Sequence, residues 1–464
     1  MTAVTTAPTA FVAPETPPKL EVYTERHLDR IEQLQRLDEQ TRFEMQVVAS
    51  VLPFRVNRFV IEQLINWDNV PNDPIFALTF PQRDMLEPQM YEQMAQLHRE
   101  QAPKADIQAL AWKLRHKLNP HPAGQMELNL PMVNGEVVEG LQHKYRETAL
   151  FFPSQGQTCH SYCTFCFRWA QFVGDKDLKI ASKEADKLLD YLAEHPRITD
   201  LLMTGGDPMV MKTKHLTPYL EGLLEPRLTH LQTIRIGTKA LSFWPYRFVT
   251  DPDAEALLNL FTRLVDSGKH VAVMAHINHY QEMQNPVFRE AVRRIRATGA
   301  EIRTQSPLIK HINDDPAVWE TMWREQVRLG MIPYYMFVER DTGAKHRFEL
   351  PLARAYEIYR DAIRRVSGLA RTARGPSMSA GPGKVEIQGV AEIHGEKVFV
   401  LRFIQGRNSD WAQRPFFAKY SETATWLNEL EPAFGEQAFF FEEEFKQMKS
   451  QRGLEVLDAA EVGA

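Results

Sequence analysis

From about residue 148 the chain alternates short β-type runs with helix-length amphipathic segments, and it does so six times. The strand candidates are Thr148–Phe152, Asp200–Met203, Thr233–Ile236, Val271–Ala275, Glu301–Thr304 and Pro333–Val338. Three of the intervening helices have readable starts: Ser182 before KEADKLLDYLAEH, Asn285-Pro286 before VFREAVRRIRA, and Asp315-Pro316 before AVWETMWREQVR. An Asn or Asp oxygen caps free amides of the first turn, and a proline at the first helical position has no amide to satisfy. Strands joined through helices pair in parallel with right-handed crossovers. Six such units fall short of an eight-stranded barrel and predict a partial (β/α)6 barrel of the α/β class.

In that architecture functional residues gather at the C-terminal strand ends. Polar motifs follow every predicted strand. After the first come the cysteines, after the second Thr204-Gly205-Gly206-Asp207, and after the third Gly237-Thr238-Lys239. His276-Ile277-Asn278-His279 follows the fourth, Gln305-Ser306 the fifth and Glu339-Arg340-Asp341 the sixth. The chain has three cysteines, Cys159, Cys163 and Cys166, all inside the window CHSYCTFC. Unlinked cysteines scatter through a core as small hydrophobes, so this grouping predicts one shared ligand. Three thiolates are one short of a closed zinc site, whereas an iron–sulfur cluster on three cysteines keeps one iron open. A zinc knuckle completed by His160 is the competing arrangement. A disulfide fits poorly with an odd count and no secretory signal.

Composition describes an ordinary water-soluble chain of 464 residues, 44% hydrophobic and 25% charged, with a net charge of −5. Lys and Arg are slightly outnumbered and form no long basic run, which argues against nucleic acid as a partner. The opening MTAVTTAPTAFVAPETPPKL lacks a basic segment and an apolar core, so residues 1–19 read as a flexible tail. No apolar stretch is long enough to span a bilayer, and a cytoplasmic location is the default expectation. Residues 20–140 read as an N-terminal helical domain and 141–375 as the barrel core. From 376 to 464 paired strands, KVEIQGVAEIHGEKVFVLRFI, and a charged helix form a small α+β extension. That extension reads as a lid or an oligomerisation piece, which leaves a homo-oligomer open.

Each motif also has an ordinary structural reading. Thr-Gly-Gly-Asp is a common strand-to-helix turn, although glycines there let a ligand approach the backbone with no Cβ in the way. His276 and His279 could serve as core or capping residues rather than as site groups. Lys384, in SMSAGPGKVEI, is either a solvated loop lysine or an amine that an aldehyde cofactor can reach.

The spacing C-x3-C-x2-C resembles the signature of radical S-adenosylmethionine (SAM) enzymes. Residues from about 52 to 390 further resemble the lysine 2,3-aminomutase family. The shared stretches are LPFRVNRFVIEQLINWDNVPNDPI, HKYRETAL, CHSYCTFCFRWAQFVG, LLMTGGDPMVM, IRIGT, HINH, QSPLIKHIND and IPYYMF. The resemblance implies a [4Fe–4S] cluster on Cys159, Cys163 and Cys166, with SAM at Thr204, Gly205, Gly206, Asp207, Gly237, Thr238, His276, His279 and Gln305. It implies pyridoxal 5'-phosphate (PLP) on Lys384 and a substrate carboxylate paired with Arg168. The implied reaction is a 1,2-amino shift that moves the α-amino group of an L-amino acid, lysine or a related one, to the β-carbon, started by hydrogen abstraction and fed by a reductant such as flavodoxin or ferredoxin. A PLP-independent radical reaction is the alternative within the same chemistry.

The chain departs from that family at several places. Of two aspartates that grip a lysine ammonium, the first corresponds to Asp314 and the second aligns on Arg340, where a guanidinium would repel the ammonium. A one-residue slip would bring in Asp341 instead. An arginine pair after the substrate arginine is replaced by Trp169-Ala170, a basic strand position is Thr148, and Phe165 stands where a histidine is usual.

Overall fold

The structure, a computed structural model, describes residues 11–126, 128–133, 136–174 and 180–451. Residues 1–10 of the expected tail and residues 452–464 of the C-terminal segment lie outside the described residues. Two short antiparallel pairs come first, β1 (Val22–Thr24) with β2 (Arg55–Asn57) and β3 (Met132–Val133) with β4 (Glu136–Val137). Everything else joins one eleven-stranded sheet in sequential order. Its strands are β5 (Leu141–Tyr145), β6 (Thr148–Phe151), β7 (Asp200–Met203), β8 (Thr233–Thr238), β9 (His270–His276) and β10 (Glu301–Leu308). They continue as β11 (Ile332–Val338), β12 (Arg374–Ser379), β13 (Gly383–Ile393), β14 (Glu396–Gly406) and β15 (Pro415–Lys419).

Neighbours from β6 to β12 pair in parallel. A helix separates each pair: Ala185–Glu194, Thr213–Gly222, Ala254–Asp266, Pro286–Ala297, Pro316–Arg328 and Leu352–Ile363. Asn285 and Asp315 cap their helices through bonds from the amides of Val287 and Ala317. Ser182 does not cap. Its hydroxyl accepts from the Glu184 amide in a turn, and the helix begins at Ala185.

The six strand candidates all appear, but two expectations about their ends change. Gly237 and Thr238 lie inside β8, and Gln305 and Ser306 lie inside β10. In β10 the inward and outward residues keep alternating through Leu308, because β9 and β11 supply partners on both sides and outweigh the weak β preference of Gln, Ser and Pro. A seventh parallel strand, β12, also emerges, and residue 376 falls in its middle. Its sequence, RGPSMS, carries almost no intrinsic strand signal; pairing with β11 and β13 makes it a strand.

One face of the parallel strands is apolar. Leu201, Met203, Ile234, Ile236, Val271, Val273 and Ile302 pack with the helices as one core. The alternate residues, among them Asp200, Arg235, His276, Glu301, Arg303 and Gln305, are half-buried on the other face. A second core unites the N-terminal segment with the loops at the strand ends: Val48, Phe54, Phe76 and Phe80 cluster with Phe165, Trp169, Phe243 and Phe348. The N-terminal segment thus packs directly on the loops that carry the chemistry. Phe399, Phe403, Trp411, Phe416 and Phe441 form a third core under the C-terminal strands. Among the described residues no helix is long and apolar enough to cross a membrane.

Candidate functional site

The cysteine loop follows β6 and is held by the N-terminal segment. The Tyr162 amide donates to the Arg55 carbonyl at 2.7 Å, and the Thr164 amide to that of Leu78 at 2.9 Å. Asn57, fully buried, donates through Nδ2 to the carbonyls of His160 (3.3 Å) and Phe243 (2.8 Å), and its own amide donates to Ser161 Oγ. Tyr162 stacks on Phe172 at 4.2 Å, and Phe165 is buried edge-on to His276. These contacts fix a loop that has little regular structure of its own. All three cysteines are free and half-buried. Burial pushes each thiol upward, that of Cys166 to about 11. Such thiols ionise readily only beside a compensating positive charge such as a metal.

Among the described residues no three His, Cys, Asp or Glu side chains converge closely enough to hold a single metal ion. His160 is buried elsewhere, lining a cavity of about 1040 Å³ with Met209, Trp244 and Arg247. The donor set of three thiols on one loop suits a polynuclear cluster, whose metals are spread over several ångströms, better than a single ion.

The Gly-Gly turn serves the cysteine loop. Gly205 has φ +143°, and a Cβ there would lie 2.2 Å from Gln157 Nε2; a Cβ on Gly206 would lie 2.4 Å from the Thr158 carbonyl oxygen. The glycines therefore let this turn and the cysteine loop touch. Asp207 then staples the turn in place. Its carboxylate accepts from Thr238 Oγ1 (2.7 Å), the Lys239 amide (2.8 Å) and the Met209 amide (2.9 Å), while its own amide donates to the Thr158 carbonyl. Burial raises the Asp207 carboxyl to about 6 despite these donors. The side chains of Asp207 and Thr238, read from sequence as cofactor groups, are spent on each other. Thr204 and Gly237 remain half-buried beside them, and a Cβ on Gly237 would meet nothing closer than 3.5 Å.

A buried pair organises the HINH segment. Lys239 donates to Glu282 Oε2 (2.7 Å), Asn278 Oδ1 (2.8 Å) and the His276 carbonyl (3.2 Å). Glu282 Oε1 accepts from the amides of Asn278 and His279. His279 proves to be a capping residue, its Nδ1 accepting from the Gln281 amide, and burial lowers it to about 4. His276 ends β9 beside Gln305 of β10, half-buried on the polar face. Sequence reading missed Glu282, which stands one turn beyond the motif.

Lys384 is the second residue of β13, paired with Ser379 across the Ala380-Gly381-Pro382 turn, so it is not a loop lysine. Its Nζ lies 4.1 Å from the centroid of Tyr335 and 5.4 Å from that of Phe337. Burial, with Arg235, Arg374 and Arg340 nearby, lowers the amine to about 7. Three successive carbonyls before it accept from three cations: Ser379 from Arg340 (3.2 Å), Ala380 from Lys144, and Gly381 from Arg407 (2.9 Å). The same Arg340 lies over the ring of Phe167, next to Cys166, with Arg168 over that ring as well. Burial, reinforced by Arg340, lowers Arg168 to about 9, and its Nη1 has no hydrogen-bond partner among the described residues.

The departures from the family pattern also have places. Thr148 donates to Asp200, which is held by both Nε and Nη2 of Arg235. Trp169 is buried, and its Nε1 donates to Thr342 just past Asp341. Asp341 turns toward Asn119 and lines a separate cavity of about 410 Å³ with Gly381, Trp426 and Phe441. Asp314 is half-buried near His311, with no hydrogen bond or ion pair to Arg168, Arg340 or Lys384. It is Arg340, not Asp341, that faces the cysteine loop.

No family model matches the chain. It is 31% identical over 361 residues to a protein of Aquifex aeolicus (strain VF5) named "Putative L-lysine 2,3-aminomutase", covering 78% of this chain and 84% of that one. It is 30% identical over 237 residues to the L-lysine 2,3-aminomutase of Escherichia coli (strain K12), covering 50% of this chain and 64% of the other. The corresponding protein of Haemophilus influenzae is also 30% identical, with 51% and 65% covered. At that identity and coverage, the chain belongs to the lysine 2,3-aminomutase family.

Proposed function

We propose that this protein is a radical SAM aminomutase that moves the α-amino group of an L-amino acid to the β-carbon. Cys159, Cys163 and Cys166 hold a [4Fe–4S] cluster, Lys384 binds PLP, and SAM binds beside the Gly-Gly turn and His276. The strands β6–β11 serve as the wall of a partial (β/α)6 barrel. When bound, the cluster and SAM supply a carbon radical able to take an unactivated hydrogen, and PLP carries the migrating nitrogen.

The observation that carries this reading is the bridge made by Arg340, which stacks on Phe167 beside the cysteines and bonds the turn before Lys384. Arg340 therefore links the cysteine loop to the turn before Lys384. Lys384, with its amine lowered to about 7, presents a substantial fraction of neutral nucleophile near neutrality. Arg168 offers an Nη1 with no hydrogen-bond partner among the described residues to a substrate carboxylate. The packed N-terminal segment keeps bulk water from the cysteine loop, which protects a reactive carbon radical. A flavodoxin or ferredoxin in the cytoplasm supplies the electron.

Anaerobic reconstitution with iron and sulfide tests the reading. Wild-type protein with a reductant should cleave SAM to 5'-deoxyadenosine, and each single Cys→Ala variant should lose that activity. Retention of it in a triple Cys→Ala protein would refute the reading.

A further inference from the structure

Around the cationic Lys384 stand five more such groups: Lys144, Arg168, Arg340, Arg374 and Arg407. Among the described residues none of them forms an ion pair with a carboxylate, whereas the adjacent Arg235 is paired with Asp200. Asp341 and Glu339, the carboxylates beside Arg340, form no ion pair with it. Like charges gathered in a partly desolvated space repel strongly unless anions enter with the ligands. These cations are thus placed to receive negative charge from a ligand.

The cations can be assigned in turn. Arg407 is spent on the carbonyls of Gly381 and Leu128 and on Asn129. Arg374 lies over Tyr335 at 4.3 Å, on the same ring as Lys384, at the cofactor end. Arg168 takes the substrate α-carboxylate in the reading above. That leaves Arg340 and Lys144. Each gives one bond to the turn, at Ser379 and Ala380, and keeps further N–H groups for a ligand. Both guanidiniums, of Arg168 and Arg340, lie within 5 Å of the Phe167 centroid, at 4.9 and 4.6 Å. They can receive two carboxylates of one small molecule.

Resting on the aminomutase reading, we propose that the native substrate is an amino acid whose side chain ends in a carboxylate, held by Arg340 with help from Lys144. Arg340 is then the specificity-determining residue. A side-chain ammonium in the same place meets the Arg340 guanidinium, while Asp341 Oδ2 accepts from Asn119.

The test uses reconstituted holoenzyme with L-glutamate, L-aspartate, L-lysine and uncharged L-norleucine. Two readouts are taken: calorimetric binding before reduction, and formation of an equal-mass isomer after it. Glutamate or aspartate should bind and turn over about 100-fold better than lysine, a discrimination expected of a site built for one polar group. Arg340→Gln should raise KM for the acid about 10-fold or more with a smaller change in kcat, and Arg340→Lys should recover most of the binding. Cluster and PLP content show that each variant has folded. Conversion of lysine in preference to both acids, or an unchanged KM in a loaded Arg340→Gln enzyme, overturns the proposal while leaving the aminomutase reading intact. Absence of any isomer from all twenty amino acids removes the aminomutase reading and this proposal together.

Discussion

Arg168 and Arg340 share one aromatic platform, their Cζ atoms 4.9 and 4.6 Å from the centroid of Phe167. The two residues are far apart in sequence, one beside the cysteines and the other past the end of β11. Each cation–π contact contributes about 0.5–2 kcal/mol depending on desolvation. Phe167→Leu should therefore cost about 1–3 kcal/mol in urea denaturation, with the cysteines still able to load iron. An unchanged midpoint would mean that the ring does not support the guanidiniums.

The glycines of the second and third motifs separate cleanly by space. Gly206→Ala would force a methyl group to 2.4 Å from the Thr158 backbone, a displacement that should cost about 2–4 kcal/mol and spoil iron loading by moving the cysteine loop. Gly237→Ala meets nothing closer than 3.5 Å and should fold and load iron normally. Equal thermal shifts in the two variants would show that the tight approach of the loops is unimportant.

Lys239 and Glu282 form a buried pair, 7% and 0% exposed, whose other bonds hold the HINH segment. Removing one partner leaves a buried charge without compensation, which typically costs about 3–5 kcal/mol. Both Lys239→Met and Glu282→Gln should be destabilised strongly, and the Lys239→Met/Glu282→Leu double variant less than the sum of the two. Additive losses in chemical denaturation would contradict a coupled pair.

Attachment of PLP to Lys384 requires the neutral amine. Because burial and the neighbouring guanidiniums lower this amine to about 7, deprotonation is half complete there rather than near the usual lysine value. The extent or rate of PLP capture, read by absorbance and by borohydride trapping with peptide mass mapping, should rise between about pH 6 and 8 and then level off. Lys384→Ala should abolish the trapped peptide. A rise that continues to about pH 10 would mean a solvated, ordinary lysine.

Much of the sheet was legible because β6–β11 bury one face against helices and leave the other polar, which writes alternation into the sequence. Asn285-Pro286 and Asp315-Pro316 announced their helices for a local reason, an oxygen cap beside a residue without an amide. β12 was not legible, since Gly375, Pro376 and two serines become a strand only through their neighbours. The cysteines and Lys384 stood out by spacing and setting. Lys144, Tyr335 and Arg407 did not, because each is an ordinary residue until folding brings it to the Lys384 turn; Lys144 meets Ala380 across 236 positions of chain. The hydrogen bonds made by Asp207 and His279 were not legible for the same reason: sequence shows a polar side chain at a strand end but not that a backbone amide already uses it.

The central claim is that the cysteine loop and Lys384 act together on one amino acid, and isomerisation measures it most directly. Reconstituted enzyme supplied with SAM, PLP, a strong reductant and the twenty amino acids should convert at least one of them to a product of unchanged mass and altered retention. That product should vanish in Cys163→Ala and in Lys384→Ala alike. An isomer that persists without Lys384, or 5'-deoxyadenosine formed with no isomer from any amino acid, would contradict the account.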